Sequence, residues 1–186
     1  MGVVGLVDDL RPLRPPVKLV AQIALAAVLV QLDFVLRLTG VPVLDVLLTL
    51  LWVVGVTNAF SLLDNMDGLA AGMAVIAGGY RLALFILDGD IAAATMTAGF
   101  VGAVTGFLVR NAPPARIFMG DAGSLFLGFF LSGLCLVVDA AYYSRGITAV
   151  LAVPVLLVLM PIFDTTFVAI TRFLRGQPVS EGGRDH

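Results

Sequence analysis

Six apolar runs, at about residues 19–36, 43–63, 68–87, 91–109, 123–138 and 147–166, leave this chain few ways to fold. Each approaches the ~20 residues an α-helix needs to cross a bilayer. The 186 residues are 60% hydrophobic and 13% charged, with mean hydropathy +1.05, which is too apolar for a water-soluble domain of this size. Lipid offers no partner to backbone N–H and C=O groups, so the runs must satisfy them internally, as helices. The expected fold is all-α: a polytopic transmembrane bundle of about six spanning helices, forming a single integral-membrane domain over residues 1–186.

The connections carry the polar residues. Pro12, Pro15 and Pro16 make residues 8–18 read as a loop. Thr39–Pro42, Asp88–Asp90 and Arg110–Arg116 are turns. If residues 8–18 lie on one side of the membrane, so do 64–67, 110–121 and 167–186. That side holds Arg11, Arg14, Lys18, Arg110, Arg116, Arg172, Arg175 and Arg184, and the other holds Arg37, Arg81 and Arg145. Eight against three makes the first side cytoplasmic by the positive-inside rule. One cysteine, Cys135, excludes an internal disulfide and a thiolate metal site. No basic patch with interleaved aromatics points to nucleic acid.

Four polar clusters fall on that first side. Asp8 and Asp9 are adjacent and would point about 100° apart on a regular helix, so both meet one ligand only at a helix end or in a loop. The pair alone reads equally as a solvated acidic turn. Asn58, Asp64 and Asp67 lie between two apolar runs, where carboxylates are costly and mark sites. If helical, Asp64 and Asp67 share a face, an arrangement that suits a hard divalent cation. Asp121, before the fifth run, serves as helix N-cap with Ser124 at the third helical position. The amides there also suit a phosphate. Pro161 should break the last run, with Asp164 capping the helix after the break. Arg172 and Arg175 then meet lipid phosphate or act as a topogenic flank.

In this order the clusters resemble the polyprenyl-phosphate N-acetylhexosamine-1-phosphate transferases, glycosyltransferase family 4. That family includes phospho-N-acetylmuramoyl-pentapeptide transferase and UDP-N-acetylglucosamine–undecaprenyl-phosphate transferase. Gly5-Leu-Val-Asp-Asp-Leu10 is similar to its aspartate-pair motif, and Asn58 through Gly68 to its N-x-x-N-x-x-D-G-x-D-G motif. Phe118-Met-Gly-Asp-Ala-Gly-Ser124 is similar to its F-M-G-D-x-G-S motif. Pro161-Ile-Phe-Asp164 and the terminal Arg184-Asp185-His186 resemble the segment leading into its histidine motif. Ser61 and Asn65 depart from the usual Asn and Gly.

The resemblance implies transfer of a sugar 1-phosphate from UDP-N-acetylhexosamine to a polyprenyl phosphate, with release of UMP. It implies Mg2+, with Mn2+ as a substitute, and a multi-pass protein of the bacterial inner membrane whose site faces the cytoplasm. A homodimer is compatible with it. Carried over residue by residue, it implies catalytic roles for Asp8, Asp9, Asp64, Asp67 and His186. Asn58, Arg116, Ser124, Arg172 and Arg175 would bind substrate. Asp121, Asp64 and Asn58 would hold the metal. The resemblance also implies helices before the aspartate pair and after the histidines that this sequence lacks, so a chain truncated at both ends, with little or no transferase activity by itself, is expected. A CDP-alcohol phosphotransferase and a cation transporter are the alternatives. The first should carry D-G-x-x-A-R, which Gly72 interrupts, and the second should hold its acids at mid-membrane.

The charge asymmetry predicts orientation. After removal of Cys135, cysteines placed at Asn111 and Gly182 should resist an impermeant thiol reagent in intact cells, and one at Gly89 should be labelled. The opposite labelling pattern inverts the topology.

Overall fold

The computed structural model describes residues 1–137. Every regular element among them is helical: α1 (Gly2–Leu10), α2 (Pro15–Gln31), α3 (Pro42–Leu63), α4 (Leu69–Asp88), α5 (Ile91–Asn111) and α6 (Gly120–Leu136). Of the six expected runs, three become α3, α4 and α5, of 22, 20 and 21 residues, each long and apolar enough to cross a membrane. Two become α2 and α6, apolar but only 17 residues each, or about 26 Å at ~1.5 Å per residue. The last run, 147–166, lies outside the described residues, as do Tyr142, Tyr143 and Arg145.

The expected loop over residues 8–18 is mostly helix. Asp8 and Asp9 sit in the last turn of α1, and Pro15 and Pro16 open α2. Proline is tolerated in a first turn because the N–H it lacks has no partner there. Pro42 opens α3 in the same way. Asp90 caps α5 by accepting the Ala93 N–H. Between α2 and α3 the chain is pinned by Asp45, buried in the first turn of α3, whose Oδ1 accepts from the amides of Leu38 and Thr39 and from Thr39 Oγ1.

Helix α3 runs against α2 and α6, α4 lies along α5, and α1 crosses α6. The core joining α3, α4, α5 and α6 contains Val56, Phe60, Ala74, Phe85, Phe100 and Leu131. Phe100 of α5 stacks on Phe130 of α6 at 4.4 Å. Helices α3 and α6 approach closely because Gly128 has no side chain: a Cβ there would fall 2.7 Å from Thr57 Cα. At Gly5, a Cβ would collide with the backbone of Asp121 and Ala122, so α1 docks on α6 through glycine. Gly99, Gly102 and Gly106 of α5 have no such neighbour among the described residues.

Arg81, counted with the charges of the far side, is bonded at the end of α6 away from the site. It is 2% exposed within α4. Its Nη2 donates to the carbonyls of Leu134 (2.6 Å) and Val137 (2.8 Å), and its guanidinium lies 4.7 Å from the centre of the Phe85 ring. Those carbonyls belong to the last turn of α6 and to its C-cap, Val137, where helix carbonyls commonly draw partners from outside the helix. Arg81 therefore supplies, from a neighbouring helix, donors to the end of α6. Arg81→Leu should lower the thermal stability of the detergent-solubilised protein by about 3 kcal/mol, the scale for removing bonds from a charged donor and stranding buried acceptors. A melting curve matching the parent's would rule out this role.

Candidate functional site

The first three polar clusters gather at one end of the bundle, where α1 and α3 end and α2 and α6 begin, and the fourth lies outside the described residues. Asp8 Oδ1 accepts the Leu13 amide at 2.7 Å, which folds the 11–14 connection back on α1. Its Oδ2 accepts from Lys18 Nζ at 2.8 Å. The same ammonium donates to Asp121 Oδ2 at 2.7 Å, and Ser61 Oγ of α3 donates to Asp121 Oδ1 at 3.4 Å. Lys18 thus joins the end of α1 to the first turn of α6, and Ser61 adds α3.

Asp9 points elsewhere, as adjacent helical positions must. Its two oxygens accept the Asp121 amide at 2.9 Å and the Ala122 amide at 3.0 Å. Asp121 was expected as the N-cap of α6. It instead lies inside the first turn, and the capping carboxylate comes from Asp9, 112 residues away. These are the amides that a phosphate was expected to meet, and a side-chain anion already uses them. Gly120 is left-handed (φ 64°), and its missing side chain makes room for Asp9: a Cβ would sit 2.8 Å from Oδ2.

Asp64 and Asp67 do not share a helix face. Asp64 is the C-cap of α3, and the chain turns through Asn65 and Met66 to Gly68, whose left-handed φ of 75° admits the reversal into α4. Asp67 Oδ2 accepts the Ala115 amide at 2.9 Å. Asn111 Oδ1 accepts the Gly68 amide at 3.1 Å, and its Nδ2 donates to the Ile117 carbonyl. Asp67 and Asn111 therefore tie the α3–α4 turn to the α5–α6 connection. The local reason is the break after Leu63, which the run of apolar residues conceals.

Electrostatics mark the cluster. Asp64 is pushed up to about 6, mainly by burial and then by the charges of Asp121 and Asp9, while the Gly120 amide opposes the shift. Asp121 is raised by desolvation and then by its neighbour Asp8, against the pull of Lys18. Asp8 is held well below the usual carboxylate range by hydrogen bonding with Asp121, then by Lys18 and the Leu13 amide. Lys18 is raised by its bonds to Asp121 and Asp8. Of the coupled pair, Asp8 carries the charge more readily.

Other expected site residues fall differently. Asn58 lies one turn from Ser61 and is paired with Gln22 of α2. Arg116 is exposed in the α5–α6 connection, its amide bonded to the Arg110 carbonyl. Ser124 is completely buried, its hydroxyl without a hydrogen-bond partner among the described residues. Asp164, Arg172, Arg175 and His186 lie outside the described residues. Sequence reasoning gave Lys18 only a topogenic role and passed over Gln22. The signal for both was their spacing, four residues apart on one face of α2 with Lys18 at the site end. Among the described residues no three His, Cys, Asp or Glu side chains are grouped as a ready metal cage.

Residues 1–139 match the profile of glycosyl transferase family 4. The chain is 36% identical over 193 residues, 99% of its own length, to a probable undecaprenyl-phosphate N-acetylglucosaminyl 1-phosphate transferase of Bacillus subtilis. It is 33% identical over 162 residues, 75% of its length, to the phospho-N-acetylmuramoyl-pentapeptide-transferase of Staphylococcus carnosus. Over 212 residues, 98% of its length, it is 31% identical to the decaprenyl-phosphate N-acetylglucosaminephosphotransferase of Mycobacterium leprae. These matches cover 53%, 50% and 53% of the relatives, so the chain spans about half the length of the curated proteins it matches.

The capping geometry separates the two adjacent aspartates. Asp9→Ala should destabilise the protein by about 1–2 kcal/mol, the scale of a lost N-cap in a favourable dipole position. Asp9→Asn, which keeps one acceptor, should cost less. Thermal unfolding of both variants checks this, and an unchanged Asp9→Ala contradicts the cap.

Proposed function

We propose, because the chain belongs to glycosyl transferase family 4, that it carries the catalytic face of an enzyme moving N-acetylhexosamine 1-phosphate from a UDP-sugar to a polyprenyl phosphate. An oxygen of the lipid phosphate attacks the β-phosphorus of the UDP-sugar. The bond to the α-phosphate breaks, UMP leaves with its electron pair, and a polyprenyl-diphospho-sugar remains. The step belongs to the assembly of cell-wall or surface polysaccharide in the bacterial inner membrane, with the site at the cytoplasmic face. The relatives' names favour this reading over a CDP-alcohol phosphotransferase or a cation transporter.

The observation that carries the proposal is the Lys18 ammonium, held 2.8 Å from Asp8 and 2.7 Å from Asp121 where four elements meet. A phosphate monoester is already largely dianionic near neutral pH. The nucleophile therefore needs little help from a base. The difficulty is bringing it to a negatively charged diphosphate, so positioning and charge neutralisation dominate. Lys18 supplies one positive charge on a flexible stem, and Asp8, kept ionised, holds that stem in place. Asp9 fixes the first turn of α6 and with it the carboxyl of Asp121.

Among the described residues Lys18 is the cation bonded to these carboxylates, and it cannot by itself balance Asp8, Asp9, Asp64, Asp121 and two phosphorylated substrates. Burial first, and then the charges of Asp121 and Asp9, push Asp64 up, and the second of these causes is like-charge crowding among the carboxylates. An all-oxygen donor set of this kind fits Mg2+, or Mn2+ in its place. Asp121 and Asp64 would hold it, and bound there it would offset the charge of the diphosphate.

The test is transfer in membranes from cells expressing the protein, with radiolabelled UDP-N-acetylglucosamine, undecaprenyl phosphate and Mg2+, followed by extraction of product lipid. Asp121→Asn and Lys18→Met should each lose on the order of a hundredfold or more in turnover while remaining folded. Near-normal turnover in Asp121→Asn would sink the assignment. Product formed only from UDP-N-acetylmuramoyl-pentapeptide would change the sugar and leave the reaction class intact.

A further inference from the structure

Lys18, Gln22 and Ala26 form one stripe on α2, spaced by four. Ala26 is fully buried against a small apolar cluster with Val53, Leu36 and Leu136. Such a contact resists separation but not sliding: a methyl group on an apolar surface has no preferred height. Between helices in lipid the hydrophobic drive is also weak, and hydrogen bonds set the register. Gln22 supplies them. It is 1% exposed. Its Nε2 donates to Asn58 Oδ1 at 3.1 Å, and Asn58 Nδ2 donates to Gln22 Oε1 at 2.7 Å.

The exchange fixes both amides. Each amide gives one donor and takes one acceptor, so rotating either by 180° sets like against like. Asn58 Nδ2 also donates to the Val54 carbonyl of its own helix at 2.9 Å, which ties the pair to the backbone of α3. Both hydrogens of the Asn58 amide are then committed. One turn nearer the site, about 6 Å along α2, the same two helices bring Lys18 and Ser61 to Asp121. A change of register at the lower pair moves the upper one.

We propose that Gln22 is a positioning residue: its amide, paired in both directions with Asn58, sets the height of α2 against α3 and so keeps the Lys18 ammonium between Asp8 and Asp121. Asn58 acts here as a helix-to-helix link, a role distinct from contacting nucleotide or metal. The proposal rests on the transferase reading only for its consequence in turnover. Its geometric content stands on α2 and α3 alone.

Lys18 is the single lysine of the chain, which supplies a direct probe. Solubilised protein is treated with an amine-reactive acetylating reagent, and the rate at Lys18 is read by mass spectrometry, with the N-terminal amine resolved on its own peptide. Gln22→Met keeps the volume and removes the pairing. Gln22→Asn, shorter by one methylene, is a second variant should the first not fold. In either, Lys18 should be acetylated roughly tenfold faster, the equivalent of about one lost hydrogen bond. The exchange Gln22→Asn with Asn58→Gln restores the summed length and should return the rate toward that of the parent. Turnover in Gln22→Met should fall on the order of a hundredfold, the scale of a misplacement of about 1 Å, with KM for the UDP-sugar unchanged. Acetylation at the parental rate in the folded variants overturns the proposal. So does faster acetylation with turnover intact, which would leave the place of Lys18 without bearing on the reaction and Gln22 without a positioning role in it. If parental membranes transfer nothing, the failure falls on the reaction, and the acetylation rates alone decide the role of Gln22.

Discussion

Among the described residues, one ammonium group links three helices at the site end of this bundle. Lys18 is the point where the end of α1, the start of α2 and the start of α6 are held together, and Ser61 brings α3 to the same carboxylate. The two lysine bonds are short and charge-assisted, the strong class of hydrogen bond. The geometry also carries a conflict. Asp8, Asp9, Asp64 and Asp121 crowd negative charge into a half-buried corner that one lysine only partly offsets. A corner of that kind is costly for a resting fold, and it favours whatever cation-bearing ligand relieves it.

The remaining polar groups show how a chain this apolar specifies one arrangement. Between apolar helices in lipid, packing alone discriminates poorly among registers. The discriminating contacts are the few polar ones: Gln22 with Asn58, Arg81 with the end of α6, Trp52 Nε1 with the Ser132 carbonyl, and Asp67 with the Ala115 amide. Glycines set the distances. Gly128 lets α6 lie against α3, and Gly5 lets α1 reach the backbone it caps. Polar side chains choose the height and small residues the separation.

How much of this could be read in advance depends on the physics of each signal. Hydropathy runs exposed α3, α4 and α5 to within a few residues, because length and apolarity are what a membrane selects. They failed at helix ends. Pro15 and Pro16 look like breakers but open α2. Asp64 and Asp67 look like one face but straddle a turn, since the reversal depends on the left-handed Gly68. The motifs located Asp8, Asp9 and Asp121. They could not tell that Asp9 serves the backbone of α6 while Asp8 serves Lys18, because that division depends on how α1 crosses α6. Lys18 itself was hidden among the basic residues of a presumed loop. Arg81 was hidden too, since a count of charges does not see that a guanidinium can end up inside.

Arg81 also bears on how the protein comes to be built. On insertion scales an arginine near the middle of a membrane helix costs about 2.5–3.5 kcal/mol. The carbonyls that satisfy it belong to residues 53 and 56 positions later in the chain. At a synthesis rate of ~5–20 residues per second, α4 waits roughly 3–10 s for its partner. During that interval those two acceptors are missing, and the long stem lets the guanidinium reach toward the headgroup region. Helix α4 thus gains two acceptors for its guanidinium only when the end of α6 arrives, so the order of synthesis bears on how the bundle is assembled.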